Sequence, residues 1–278
     1  MDQQKLFKQL DAAEGRQLTR LNAWLAQAFK TIPWDEYERL KRIGGPILLN
    51  KAPVPMITKP GSLAKVLSDH STEMIAAGIA HAQLLVDELH DKYKSRKLTD
   101  YPGFDFNYED DPRVIPQKAI KAMESRAIVL AGDVDGELLA GVKKIMVSFL
   151  AGESRNDAEV ALGNLLNKNE ERASLITTTE STYSYNRGRL AGFAENRVDY
   201  FRFSAVMDGR TSNVCRSRHG LIMKMDDSQV SDNTPPLHGK CRSVLDPVYS
   251  AYQPELLTDS SLNWSNVLPL PSGWKASK

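Results

Sequence analysis

Apolar residues recur at helical steps through most of the chain. Leu6, Leu10, Leu21, Leu25 and Phe29 stand in a polar background at roughly helical spacing, which predicts one or two amphipathic helices over residues 2–43 with a break near Pro33. Gly44-Gly45-Pro46 closes that region, and Lys51–Pro60 (KAPVPMITKP), with three prolines, reads as an extended connector. Ser62 is placed to open a long helix reaching about Lys97, carried by Leu67, Ile75, Ile79, Ala82, Val86 and Leu89. His70, His81 and His90 ride on it without ligand-spaced partners and read as packing or surface residues.

The stretch 100–113, DYPGFDFNYEDDPR, is acidic, aromatic and turn-rich, and marks a loop and a domain boundary. Helices are expected over 116–130, 137–150, a short segment to about 167 capped by Ser154 or Asn156, and 170–196. The last has an inward stripe of Ala173, Ile176, Thr179, Tyr183, Asn186, Leu190 and Phe193. Thr179 and Asn186 interrupt this stripe with polar groups that need hydrogen-bond partners if buried, and Glu180 lies beside them. Three short strands follow, over 200–206, 221–225 and 242–245, and the last thirty residues read as an irregular tail that wraps the body or docks on a partner. The fold class is α+β: a mostly helical body with a small C-terminal three-stranded module closed by a Cys/His cluster. The segments are 1–110, an N-terminal helical region; 111–250, the domain with the module; and 251–278, the tail.

Hydrophobic content of 41% supports a core, and a net charge of +1 excludes a chain that binds nucleic acid through its overall charge. No apolar run is long enough to span a membrane, and the N-terminus lacks the layout of a signal peptide. The only two cysteines pair in sequence with histidines, as Cys215-x-x-x-His219 and His238-x-x-Cys241. Two thiolates and two imidazoles suit tetrahedral zinc, and a structural ion would contribute much of the folding free energy of so small a module. Three alternatives stay open: free thiols without metal, a Cys215–Cys241 disulfide, which a reducing compartment disfavours, and a catalytic zinc with Glu180 or Asp208 as base. No Gly-rich phosphate loop or Ser-His-Asp order appears.

The succession ITTTESTYSYNRGRLAGF (176–193), DGRTSNVCRSRHG (208–220) and PPLHGKCRSVLDPV (235–248) resembles the head morphogenesis proteins of tailed phages, the minor head proteins like protein F of phage Mu. The residues that carry the likeness are Thr179, Glu180 and Asn186; Asp208, Arg210 and Thr211; Cys215 and Gly220; and Pro236, His238, Cys241 and Arg242. The pattern has Arg where Thr178 stands, and its first cysteine falls at Ser212, so His219 would have to complete the metal set. The resemblance implies a non-enzymatic protein made in the host cytoplasm and kept in the virion. It would act beside the portal protein, with capsid or scaffold protein as further partners, in head assembly, DNA packaging or DNA delivery, and away from membranes.

Three further expectations follow. A zinc-dependent hydrolase or nuclease acting on nucleic acid is the alternative to an assembly role. Non-specific DNA contact would use Lys143 with Lys144, Arg187 with Arg189, and Arg216 with Arg218. Glu180 is expected to pair with Arg210 or Arg242 and so join helix to module.

Overall fold

The computed structural model describes residues 3–44, 59, 61–93, 117–272 and 274. The proline-rich connector (apart from Lys59), the loop at 100–113 and the basic segment 94–97 lie outside the described residues. Five long or medium helices come first: α1 (Gln3–Lys30), α2 (Trp34–Ile43), α3 (Ser62–Tyr93), α4 (Gln117–Leu150) and α5 (Arg155–Glu195). The break before α2 falls at Pro33, as the sequence predicts.

Two expected breaks are absent. The segments 116–130 and 137–150 are one helix, α4, and the segments to 167 and from 170 are one helix, α5. In α4 no proline interrupts the chain, and Ala127, Ala131, Val134, Leu138, Val142, Met146 and Phe149 form an unbroken buried stripe at steps of three and four. The two glycines at 132 and 136 each cost only about 1 kcal/mol against alanine, which packing along such a stripe overrides. In α5 the polar run near 167–170 stays helical because Asn169 turns its Nδ2 back to the Leu165 carbonyl at 2.8 Å. Ser154 does cap α5: its Oγ accepts the Asp157 N–H at 3.1 Å.

The described residues of Ala12–Asp69 and Ala122–Thr177 form one compact unit, and those of Met1–Asp11, His70–Lys121 and Thr178–Lys278 form a second. The first is a helical unit with a core of aliphatic side chains, among them Leu21, Leu25, Leu40, Leu63, Leu138 and Met146. Trp34 meets Phe149 edge-on with ring centroids 5.6 Å apart.

The second unit holds the module. Strands β1 (Tyr200–Ser204), β2 (Ile222–Lys224) and β3 (Val244–Val248) make an antiparallel sheet in the order β2-β1-β3, with short helical turns α6 (Asn213–Arg216) and α7 (Val230–Asn233) in the connections. In β1 Phe201 and Phe203 are buried while Tyr200 and Arg202 are half-exposed, and Ser204 at the strand's end is buried as well. The phenylalanines share a core with Ala82 and Val86 of α3, Phe193 of α5, Leu237, Leu245 and both cysteines.

Residues after 250 run along the module. The Ile222 N–H donates to the Ser261 carbonyl and the Trp264 Nε1–H to the Ile222 carbonyl, each at 2.7 Å, so the outer edge of β2 is covered rather than open to further pairing. Tyr252 stacks on Tyr93 with ring centroids 5.6 Å apart.

Candidate metal centre

The site begins with what seats the sheet. Every residue from Glu180 to Asn186 is buried, so α5 is enclosed on all sides here even though its sequence is largely polar. Each polar group therefore needs a partner. The Asn186 Nδ2 donates to the Ser243 carbonyl at 3.1 Å and to the Thr182 carbonyl at 2.9 Å, while its Oδ1 accepts the Leu245 N–H at 3.1 Å. Thr182 donates to the Cys241 carbonyl, and Thr179 Oγ1 accepts the Lys240 N–H at 3.3 Å. The polar interruptions of the helix stripe thus hold the backbone that carries Cys241 and β3.

Sequence reasoning missed the largest of these anchors. Arg189 is fully buried; its guanidinium donates to the Tyr185 hydroxyl and to Asp246 of β3, both at 3.2 Å. Burial pushes the Tyr185 phenol up to about 12, partly opposed by Arg189, and Tyr185 also meets His81 Nδ1 at 2.8 Å. His70 lies buried against Ser181 at 2.7 Å, in the packing role its spacing suggested. The Arg189 signal was present in the sequence: it follows Tyr185 by four residues, on the face that Asn186 flanks. Its positive charge made it look like surface.

The Asp208-Gly209-Arg210-Thr211 turn is bonded to itself. Asp208 Oδ1 accepts the Arg210 N–H at 2.9 Å, the Asp208 N–H meets Thr211 Oγ1 at 3.0 Å, and Thr211 Oγ1 donates to the Val206 carbonyl. Arg242 clamps the turn, its Nη2 lying 2.7 and 2.8 Å from the two Asp208 oxygens. Asp208 is thus a carboxylate that both arginines face, Arg210 at 3.6 Å. Asp208 starts the turn beside Arg242, whereas Glu180 lies buried on α5.

The Arg242 hydrogen bonds first, and the Arg210 N–H next, hold the Asp208 carboxyl down to about 2, against 3.8 unperturbed. The folded value lies below the unfolded one. Its stabilising contribution is thus present above about pH 4 and is lost as pH falls through about 2. An NMR titration is expected to find the Asp208 midpoint near 2 in the native chain. In Arg242→Gln it should move back toward 3.8, and an unmoved midpoint would refute the clamp.

The cysteine–histidine set assembles in part. Cys215 Sγ lies 3.6 Å from Cys241 Sγ and 3.2 Å from His238 Nε2, and the three donor atoms stand within 4.8 Å of one another. Both thiols are free, so the disulfide alternative does not describe this state. Two ligands about 2.3 Å from a tetrahedral zinc stand roughly 3.8 Å apart, which the sulfur pair nearly meets. His238 Nδ1 sits 2.8 Å from the Gly239 carbonyl, an acceptor only, so Nδ1 carries the proton and Nε2 is left to coordinate. The residues present fit zinc.

Without metal, Cys215 and His238 support each other's charge. The Cys215 thiol is drawn down to about 4, first by the hydrogen bond from Cys241 and then, against burial, by His238. The Cys215 contact raises His238, and burial pushes Cys241 well up.

His219 does not join the cluster. Its Nδ1 accepts the Ala205 N–H at 3.1 Å, which places the proton of a neutral ring on Nε2 and leaves neither nitrogen to bind a cation. The ring lies exposed, past the end of α6, where the helical register assumed for a Cys215–His219 pair has already stopped. The DNA-contact expectation also loses two members. Arg189 is the buried anchor above, and Arg218 is buried with bonds to Asn233 and to the Val214 and Leu268 carbonyls. Lys143, Lys144 and Arg216 remain exposed.

Comparison with known families brings in one match. Residues 142–246 match the family model described as Phage Mu protein F like protein. This segment is similar to the Phage Mu F-like family. No curated protein and no solved structure gave a significant match. The matched segment runs from the last third of α4 through α5 and the sheet to Asp246 in β3, and so contains the cysteine–histidine cluster, the Asp208 turn and the Asn186 seat. The match agrees with the motif order by which the sequence resembles phage head morphogenesis proteins. No described helix is long and apolar enough to cross a membrane.

Proposed function

We propose that this chain is a non-enzymatic minor head protein of a tailed phage, held in the virion near the portal and acting in procapsid assembly, DNA packaging or DNA delivery. In this reading a structural zinc on Cys215, His238 and Cys241 pins the module on α5. The observation that carries the proposal is the Phage Mu F-like match over residues 142–246, a stretch whose shared motif residues are spent on holding parts of the protein together. Asn186 and Thr179 seat the sheet, Asp208 and Arg242 lock a turn, and Cys215, His238 and Cys241 converge on one point. A carboxylate held as low as Asp208, in an ion pair, is a poor general base near neutral pH, which favours an assembly role over hydrolysis.

The partners would be the portal protein and, through it, capsid or scaffold protein. The test is affinity purification of the tagged chain from infected cells, with mass spectrometry of purified heads. Portal protein is expected in the eluate, and a few copies of the chain in each head. A clean eluate together with heads that lack the chain would overturn the proposal.

A further inference from the structure

Three guanidinium groups converge on Asp208. Arg242 meets its carboxylate through Nη2 alone, and Arg210 Nε stands 3.6 Å from the same carboxylate. From α6 the Arg216 Nη2 donates to the Asp208 carbonyl at 3.3 Å. Lys240 joins Arg210 and Arg242 in lining a polar recess of about 220 Å³ that opens to solvent and is bordered by Thr211 and Ser212. Among the described residues, Asp208 is the acid that pairs with any of these cations. One carboxylate cannot balance so much positive charge, and like charges gathered at a recess make a field that draws an anion.

The donors are also unused. A guanidinium carries five N–H donors. Arg242 is only 23% exposed, yet among the described residues its Nε and Nη1 make no hydrogen bond. Arg210 is 76% exposed and stands too far from Asp208 for a side-chain hydrogen bond. Lys240 has no acidic partner among the described residues. Its backbone adds a separate observation. Lys240 has a φ of 57°, in the left-handed region where a side chain is strained and glycine is the relaxed choice, and its N–H is held by Thr179 Oγ1 at 3.3 Å. Strain of this kind persists where the placement of the side chain matters.

We propose that this recess binds a phosphate group through Arg210, Lys240 and Arg242. A flat carboxylate is matched by the edge of one guanidinium. A tetrahedral phosphate offers oxygens to donors that arrive from several directions, as these do from the Asp208 turn and from the segment leading into β3. Asp208 holds the Arg242 guanidinium in place before the anion arrives. The phosphate is either a free ion or part of a nucleic-acid backbone, and the chemistry is common to both. The inference goes beyond the head-protein reading by naming a ligand class and its place, and it depends on neither that reading nor the zinc.

The experiment titrates the full-length chain with inorganic phosphate, followed by amide NMR shifts, and with a labelled DNA duplex, followed by fluorescence anisotropy over a salt series. Phosphate should shift the amides of Thr211 and Lys240 first. The recess variant combines Arg210→Gln with Lys240→Gln. Both side chains are exposed, so the fold is retained. It should bind phosphate at least about tenfold more weakly, because each change removes charge-assisted hydrogen bonds. The control combines Lys143→Gln with Lys144→Gln, which makes the same charge change on exposed positions of α4 and should bind phosphate as the native chain does. If the phosphate belongs to nucleic acid, the duplex binds too, and the recess variant lowers the slope of log affinity against log salt by about 2 while the control does not. If it is the free ion, duplex affinity is the same in all three proteins while phosphate binding still falls in the recess variant. Equal phosphate affinity in all three, or an equal fall in both variants, would overturn the proposal. So would a glutamate-rich peptide that occupies the recess and is not displaced by phosphate. None of these outcomes touches the portal co-purification, which tests the head-protein reading separately.

Discussion

Gly188→Val should abolish cooperative folding of the second unit, or leave protein that is recovered only from the insoluble fraction. Helices α3 and α5 cross with their backbones in contact at this point. A Cβ on Gly188 would stand 2.3 Å from the Ile75 carbonyl oxygen, and one on Gly78 would stand 2.2 Å from the Tyr185 carbonyl oxygen. The obstacle on each side is backbone within a helix, which cannot rotate aside as a side chain can. The helices must therefore separate. Separation strips contacts along the crossing, including the one that places His81 against Tyr185. Overpacking a core typically costs 1–3 kcal/mol and occasionally more; with rigid obstacles the cost here should reach about 4 kcal/mol or beyond, against a total stability of about 5–15 kcal/mol. Circular dichroism melts of the native chain, Gly188→Val and Gly163→Ala make the comparison. Gly163 lies on the same helix with nothing within 4 Å of its would-be Cβ, so its alanine variant should melt at or slightly above the native temperature. A Gly188→Val protein that melts with the native chain would show that the helices do not cross this closely.

The second large effect is expected at Asn186. Asn186→Leu keeps much of the side-chain volume and removes all three hydrogen bonds. The Ser243 carbonyl and the Leu245 N–H lose the partner that Asn186 provides, and each buried group left so costs about 1–3 kcal/mol, for a total of about 2–6 kcal/mol. The loss has an address. Amide exchange at Leu245 should accelerate more than at the helix interior, because the N–H that Asn186 holds is the one released. Thr179→Ala tests the ranking. Its bond to Lys240 is long, at 3.3 Å, and exposed, so the change should cost less than about 1 kcal/mol. Equal destabilisation by the two variants would mean that Asn186 does not seat the sheet.

These two sites show how differently the fold was written into the chain. Asn186 was conspicuous in sequence, because a polar residue in an apolar stripe demands a partner. Gly188 was not, because a glycine in a helix looks like a small penalty until a second helix is known to lie against it. The same division runs through the metal centre. The four-residue step from Cys215 suggested His219, but the helical turn ends before it and the ring bonds to Ala205. Ser212, three residues before Cys215, is the residue that reaches His238 Nε2.

Local pattern by itself determined the helices, the three strands, the turn at Asp208 and the pairing of His238 with Cys241. Those depend on periodicity, capping and short spacing, which act within a few residues. Only the tertiary structure decided that α4 and α5 run unbroken, that Arg242 turns to Asp208, and that Arg189 is an internal anchor rather than a surface charge. Each of these is a choice between partners some 30 to 60 residues apart or a long packed stripe overriding a local penalty. Burial settles such choices, because a polar group inside the protein must pair with whatever the fold brings within about 3 Å of it.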